Sequence, residues 1–191
     1  MENFIMTRVF TEPDEQDNEN RSNIEVINQK RRFLAGFCKL IVYNIIPVKH
    51  AASVMKYYVK FYSDYGDIIK HTISKTREIN KEMCAKTMAA ALISLFTDIN
   101  NENSGNRNAF TKQDENFQGL KELAKRFALS FGLDNFKNRN AFAALHKEGI
   151  QFSFATIENP DNPLGPPPNL SFLEVLMEFS NKLIKIDKKT V

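Results

Sequence analysis

The amino-acid sequence predicts an all-α fold. Apolar residues recur at helical spacing along most of the 191 residues, whereas strand-like alternation of useful length and Asn-Gly hairpin turns are absent from the sequence. An apolar fraction of 42% is sufficient to build a core, which argues against a wholly disordered chain. We therefore expect about six or seven amphipathic helices, arranged as a globular bundle or as a helix-pair solenoid of the HEAT type.

The N-terminal part of the chain differs in charge from the rest. Residues 1–30 carry seven acidic side chains against three basic ones, whereas residues 31–191 have a net charge of +7. Residues 11–22 are polar and cannot bury enough apolar surface to offset the entropy of ordering. We therefore divide the chain into an acidic, largely disordered lead-in at 1–30 and a helical region at 31–191, with residues 1–10 apolar enough to end a preceding helix.

Helical periodicity places the elements of the second region. The predicted helices cover approximately residues 24–43, 49–64, 67–79, 81–99, 117–131, 136–149 and 170–186.

Local signals set the boundaries of these helices. Pro47 is expected to end the first helix, and Gly66 to separate the second from the third. Asp67 and Asn80 are expected to be N-caps of the third and fourth helices, because their side chains can accept from free backbone N–H groups. Gly132 is expected to close the fifth helix in a left-handed conformation.

Two longer connections and the C-terminus complete the predicted organisation. Residues 100–116 form a polar loop, and residues 158–168 contain five of the seven prolines, which favours an extended connector. Gly149 is expected to stop the sixth helix, before a short apolar piece at 150–154. The last helix is still amphipathic near Val191, so we expect the chain to be truncated within the helical region.

The composition argues against several classes of chemistry. Two Cys and three separated His exclude a disulfide framework, a four-Cys zinc site and a helical His pair, and no phosphate-binding glycine loop is present. The sequence also has no apolar run of membrane-spanning length and no secretory signal, so we expect an intracellular protein without cofactor or bound metal. Cys38 and Cys84 lie within predicted helices, and His146 has no identifiable partner, so an enzyme has little support.

One face of the first predicted helix carries a possible docking strip. Arg32, Gly36, Lys39 and Tyr43 lie on one side of the helix, opposite Phe37. Two cations, a tyrosine and a glycine that lets another chain approach are suited to an acidic, extended peptide. The alternative interpretation is an ordinary solvated face.

A second basic cluster lies on the fifth predicted helix. Lys121, Lys125 and Arg126 occur beside Glu122, and Lys121 and Lys125 share a face. This cluster is a possible contact for phosphates of nucleic acid, although a solvated surface explains it equally simply. Stacking aromatic residues do not alternate with these bases, so the sequence does not favour binding of single strands.

Seven segments of the chain carry a resemblance to a known family. In order they are RRFLAGFCKLIVY (31–43), KYYVKFYSDYGDIIK (56–70), KTREI (75–79), CAKT (84–87), GLKELAKRFALSFGLD (119–134), LHKEGIQFSF (145–154) and PPPNLSFLEVLMEFSNKL (166–183). Together they resemble the SA/STAG (stromal antigen) subunit of cohesin, in the C-terminal part of its HEAT-repeat body. The resemblance implies a HEAT-like helix-pair solenoid fragment, and it does not distinguish somatic from meiotic members.

The resemblance also implies a function. Members of this family are non-catalytic scaffolds that bind the kleisin subunit of cohesin, meet the SMC subunits indirectly, and support sister chromatid cohesion on chromatin in the nucleus. Lys39 aligns with a kleisin-contacting lysine of the family, while Arg32, Gly36 and Tyr43 are added from helical geometry alone. The alternative function is a basic helical-repeat domain that binds nucleic acid directly.

Overall fold

The computed structural model describes residues 2–11, 23–102, 115–155 and 165–189, and within these ranges the fold is all-α, without a strand. The α-helices are Glu2–Phe10 (α1), Asn23–Val42 (α2), Ala52–Met55 (α3), Tyr62–Ile79 (α4), Lys81–Glu102 (α5), Glu115–Ser130 (α6), Arg139–Ser153 (α7) and Phe172–Leu176 (α8). Short 3₁₀ helices occupy Val48–Ala51, Met177–Phe179 and Asp187–Lys189. The predicted all-α class is confirmed.

Helices α2 and α4 lie side by side and run in the same direction. The Arg31 side chain of α2 contacts Asp67 of α4, and further along both helices Cys38 contacts Thr72. Because the contacts follow the same order along each chain segment, the two helices are parallel. The intervening residues 43–61 return the chain between them.

Helices α5 and α7 repeat this parallel arrangement. At the start of α5, the Lys81 Nζ lies 3.5 Å from the carbonyl oxygen of Lys137, which just precedes α7. Towards the end of both helices, the Phe96 ring of α5 contacts the Phe152 ring of α7. In both pairs the two helices are parallel, and an intervening segment returns the chain between them, as in stacked helix pairs. The predicted HEAT-like solenoid fragment is confirmed by this packing.

Helix α5 is the central element of the core. It packs against α3, α4, α6 and α7. Its buried small residues Ala85, Ala89 and Ala91 allow neighbouring backbones to approach, and its large residues Leu92 and Phe96 fill the remaining space.

The predicted helix at 49–64 is helical at both ends but interrupted at residues 56–61. A 3₁₀ turn and α3 end at Met55, and α4 begins only at Tyr62. The residues between them turn so that Tyr57 and Phe61 hold the Phe10 ring of α1, with ring centroids 4.2 and 5.3 Å apart respectively. Tertiary packing of aromatic side chains therefore outweighs the helical periodicity of this segment.

Two of the boundary signals were misread. Gly66 and Asp67 lie inside α4 rather than at a break and a cap. Gly66 is buried, and Asp67 forms an ion pair with Arg31. The predicted stop at Pro47 was also wrong, since α2 ends at Val42 and Asn44 adopts a left-handed φ of 57°.

Two other signals were confirmed. The Asn80 side-chain oxygen accepts a hydrogen bond of 2.9 Å from the backbone N–H of Met83, as expected of an N-cap. Gly132 follows α6 with a φ of +77°, in the left-handed region that glycine adopts without steric cost.

The C-terminal prediction was wrong in its length. Only Phe172–Leu176 is α-helical, followed by the 3₁₀ turn Met177–Phe179, and Gly149 lies within α7 instead of ending it.

Helical structure also occurs before the predicted boundary at residue 31. Both Glu2–Phe10 and the first turns of α2 lie in the predicted lead-in and are helical. The central parts of the predicted linker and loops (12–22, 103–114 and 156–164) lie outside the described residues.

Candidate peptide-docking face on helix α2

One side of helix α2 is buried in the core, and this burial determines which of its residues face solvent. Leu34, Phe37 and Ile41 are almost completely buried against α1, α4 and the 3₁₀ turn at Val48–Ala51. Residues on the opposite arc of the helix are consequently turned to solvent.

The structure brings the four predicted residues together on this outer side. Arg32, Gly36 and Lys39 are exposed on α2, and Tyr43, which directly follows the helix, is 74% exposed. Among the described residues, neither the Arg32 nor the Lys39 side chain has a hydrogen-bond or ion-pair partner. A Cβ built on Gly36 would meet nothing within 4 Å, so the surface there is open to an approaching chain. Whether these residues bind a partner stays a prediction.

Arg31, the neighbour of Arg32, links α2 to α4 through hydrogen bonds. Its guanidinium donates to both carboxylate oxygens of Asp67, at 2.5 and 3.1 Å, and to the carbonyl oxygen of Asp64. This hydrogen-bonded pairing lowers the pKa of Asp67 and raises that of Arg31. Arg31 is therefore already neutralised, unlike its neighbour Arg32. Sequence reasoning missed this pair, because Asp67 resembles a cap at the start of a helix.

A depression lies beside the cationic face, between α2 and α4. It has a volume of about 440 Å³. Its lining residues are Asn28, Arg31, Arg32, Ala35 and Ile68. A second depression of about 430 Å³ along α2 shares Asn28 and Arg32 with the first. Periodicity could not reveal the first depression, because it depends on how α2 and α4 are juxtaposed, whereas the second is lined by residues of α2 alone at helical spacing.

The second basic cluster is largely paired within the chain. The Lys121 ammonium lies 3.8 Å from the Glu174 carboxylate. Arg126 lies 3.0 Å from Glu122, and its guanidinium stands 4.4 Å above the Tyr62 ring. Lys125 is exposed. Two of the three cations thus have acidic partners, which reduces the positive potential available to phosphates. A phosphate contact here stays a prediction.

The candidate nucleophiles are buried away from the α2 face. Burial raises the pKa of the Cys38 thiol to about 11 and also raises that of Cys84, so both remain thiols at neutral pH. His146 is buried, and its Nδ1 donates to the Phe142 carbonyl oxygen at 2.8 Å. In the part of the chain that the structure describes, no cluster of three or more metal-ligating side chains occurs, and no helix is long and apolar enough to span a membrane.

We expect the stability of the protein to depend on pH because of the buried His146 side chain. Burial, opposed by the hydrogen bond to Phe142 and assisted by the charge of Lys188, lowers the His146 pKa below its ordinary value of 6.5. The unfolded chain therefore binds the proton more readily, so the free energy of unfolding should fall as the pH drops below about 6.5. Urea unfolding at pH 7.5 and 5.5 measures this loss. The same measurement on His146→Gln should show a smaller pH dependence, and an equal dependence in both proteins would contradict the assignment.

Comparisons with known proteins assign the chain to a family. Residues 81–191 match the family model described as the STAG protein C-terminal domain. The chain is 48% identical over 195 residues to cohesin subunit SA-1 of Xenopus laevis, with 98% of the chain and 15% of that protein covered. It is 42% identical over 190 residues to cohesin subunit SA-3 of Mus musculus, with 97% of the chain and 15% of that protein covered.

A more distant relative covers the same region. Cohesin subunit scc-3 of Caenorhabditis elegans is 32% identical over 188 residues, with 98% of the chain and 16% of that protein covered. The α2 face lies outside the matched family model but within the chain coverage of these relatives. The chain thus spans about 15% of the length of the relatives named here. On the family-model match and this near-complete coverage of its own length, the chain belongs to the SA/STAG family of cohesin subunits.

Proposed function

We propose that this chain is a non-catalytic scaffold segment of a cohesin subunit and that the outer face of α2 binds the kleisin subunit. The observation that carries the proposal is the exposed stripe formed by Arg32, Gly36 and Lys39 on one side of α2 and by Tyr43 directly after it. In this role the segment meets the SMC subunits only through kleisin. It acts on chromosomes in the nucleus, supports sister chromatid cohesion and requires no cofactor.

The charge arrangement of the stripe supports an acidic, extended partner. Neither Lys39 nor Arg32 forms an ion pair with a carboxylate among the described residues, whereas Arg31, the neighbour of Arg32, is paired with Asp67. A carboxylate of the partner would therefore gain two available cations without displacing an existing ion pair. Such complementary charges chiefly raise the association rate and fix the register of the partner.

Direct binding of nucleic acid receives less support from the structure. In the second basic cluster, Lys121 and Arg126 already lie near carboxylates, which leaves Lys125 as the cation of that cluster without a described partner. Few cations would then be available to contact phosphates, so the counterion release, the affinity for duplex DNA and its salt dependence should all be small. We keep this function as the alternative that the binding experiment tests.

Reversing the charge of Lys39 should weaken kleisin binding. We expect Lys39→Glu to lower the affinity for a central kleisin segment about tenfold, or about 1.4 kcal/mol, because attraction is replaced by repulsion. Fluorescence anisotropy titration of the 191-residue chain at low and moderate salt measures this change. Lys147→Glu is the matched control, since Lys147 is equally an exposed helical lysine but lies on α7.

Three outcomes distinguish the functions. Loss of affinity in Lys39→Glu but not in Lys147→Glu, with unchanged helical circular dichroism, supports kleisin docking. If both variants bind the kleisin segment with the wild-type affinity, Lys39 is not part of the docking site. Binding only to a nonspecific duplex, lost at moderate salt and on Lys125→Glu, favours the nucleic-acid alternative over the scaffold role.

A further inference from the structure

The depression between α2 and α4 adjoins the cationic stripe and differs from it in chemistry. Ala35 and Ile68 contribute its apolar part, and both are only partly buried. Asn28 and Arg31 also line it, and the charge of Arg31 is neutralised by Asp67. The depression is thus suited to an apolar side chain, while Arg32 at its edge and Lys39 one turn beyond Ala35 are suited to carboxylates.

We propose that the docked partner carries two acidic residues three positions apart, which contact Arg32 and Lys39, and between them an apolar residue that enters the depression. This inference rests on the proposed docking function and defines the partner's sequence pattern. It assigns to Ala35 and Ile68 a role in specificity, in addition to packing α2 against α4.

The spacing of the acidic residues follows from helix geometry. Arg32 and Lys39 are seven positions apart, which corresponds to about 10.5 Å along an α-helix. A segment in the polyproline II conformation advances about 3.1 Å per residue and returns to the same side every third residue. Residues i and i+3 of such a segment therefore lie about 9.3 Å apart on one side, matching the two cations.

The position of the apolar residue follows from the same geometry. In polyproline II, an intervening residue points about 120° away from the two acidic residues. The depression lies to the side of the stripe, towards α4, as Ile68 among its lining residues shows. Ala35 is closer along the helix to Arg32 than to Lys39. The apolar residue should consequently be the neighbour of the acidic residue that contacts Arg32.

The charge and shape together favour an acidic peptide over other occupants. Duplex phosphates would engage Arg32 and Lys39 but would leave the apolar depression empty, so their binding would not depend on Ala35. A peptide with the proposed pattern uses both features. Its affinity should therefore depend on an apolar group in the peptide and on the space beside Ala35.

Three synthetic 12-residue peptides test the pattern against the 191-residue chain. The first has Asp-Leu-Ser-Asp within a neutral Gly/Ser frame, the second replaces the Leu by Ser, and the third places the Leu outside the acidic pair. We expect the first peptide to bind about tenfold more tightly than the other two, because only its Leu can enter the depression. Anisotropy titrations with labelled peptides measure the affinities.

The matching variant is Ala35→Gln, which fills the depression from α2 with a good helix former. It should weaken the first peptide about tenfold and leave the second unchanged. Lys39→Glu should weaken both. Equal binding of the Leu and Ser peptides, or an Ala35→Gln variant that binds the first peptide as wild type does, would overturn the inference.

The two proposals fail in different ways. If the pattern is wrong but the docking face is right, Lys39→Glu still weakens binding of the kleisin segment while Ala35→Gln does not. If the docking face itself is wrong, wild type and Lys39→Glu bind the kleisin segment equally, and none of the peptides depends on Lys39.

Discussion

Replacing Phe96 by Ala is expected to lower the free energy of unfolding by about 3–5 kcal/mol, the range typical of a large aromatic deleted from a core. Phe96 is fully buried on α5. Its ring contacts Phe152 of α7 and Phe172 of α8, with centroids 5.7 and 5.3 Å away, and those two rings are 5.1 Å from each other. The substitution therefore removes apolar burial and leaves a cavity where three helices meet.

Urea unfolding followed by circular dichroism at 222 nm measures this loss. Leu129→Ala is the control, because Leu129 is 72% exposed on α6 and its truncation should change stability by less than about 0.5 kcal/mol. A loss below about 1 kcal/mol for Phe96→Ala would mean that the three helices close over the gap, so that the aromatic contacts do not set the stability of this region.

The Phe96 substitution also separates stability from binding. Helix α2 packs mainly against α1, α4 and the 3₁₀ turn at Val48–Ala51, whereas α7 and α8 pack against each other and against α5 and α6. Under conditions in which the variant remains folded, affinity for the kleisin segment should consequently stay at the wild-type level.

Periodicity predicted the long amphipathic helices well. The predicted helix at 24–43 corresponds to Asn23–Val42, and the one at 117–131 to Glu115–Ser130. Both helices have one buried arc and one exposed arc, so the 3.6-residue pattern carries the information that positions them. Asn80 and Gly132 were identified correctly because a cap and a left-handed turn are local in the chain.

The errors arose where a distant residue decides the local structure. Asp67 lies inside α4, where its carboxylate pairs with Arg31, 36 positions earlier in the chain. The turn after Met55 is held by Phe10 of α1, which no short window of sequence contains. Sequence alone therefore assigned Gly66 and Asp67 to a helix boundary that does not exist.

The candidate docking site also has one part that the sequence predicts and one part that it does not. The stripe of Arg32, Gly36 and Lys39 could be predicted because it is a property of one helix. The depression beside it belongs to two parallel helices, and only the α2–α4 packing places Ile68 next to Ala35. The charge of the docking face was thus predictable from the sequence, whereas its apolar component was not.

The second large change in stability is expected on replacing Gly149 with a larger residue. Glycine is generally a poor helix former, yet Gly149 lies within α7, where a Cβ would stand 2.5 and 2.8 Å from the two methyl groups of Leu176. Because Leu176 is itself buried, it has little room to move aside. We expect Gly149→Val to lower the free energy of unfolding by about 2–3 kcal/mol, since overpacking outweighs the gain in helix propensity.

Gly119 provides the matched control for this close approach. It also lies within a helix, but a Cβ there would meet nothing within 4 Å, so Gly119→Val should leave stability unchanged or raise it slightly. Adding Leu176→Ala to Gly149→Val should cost less than the two separate losses combined, because the smaller side chain makes room for the new one. Strict additivity in urea unfolding would show that Gly149 is required by the backbone of α7 instead of by the contact with α8. The expected non-additivity would establish that this glycine allows α8 to pack closely on α7, which explains why a residue typical of a helix end lies in the middle of this helix.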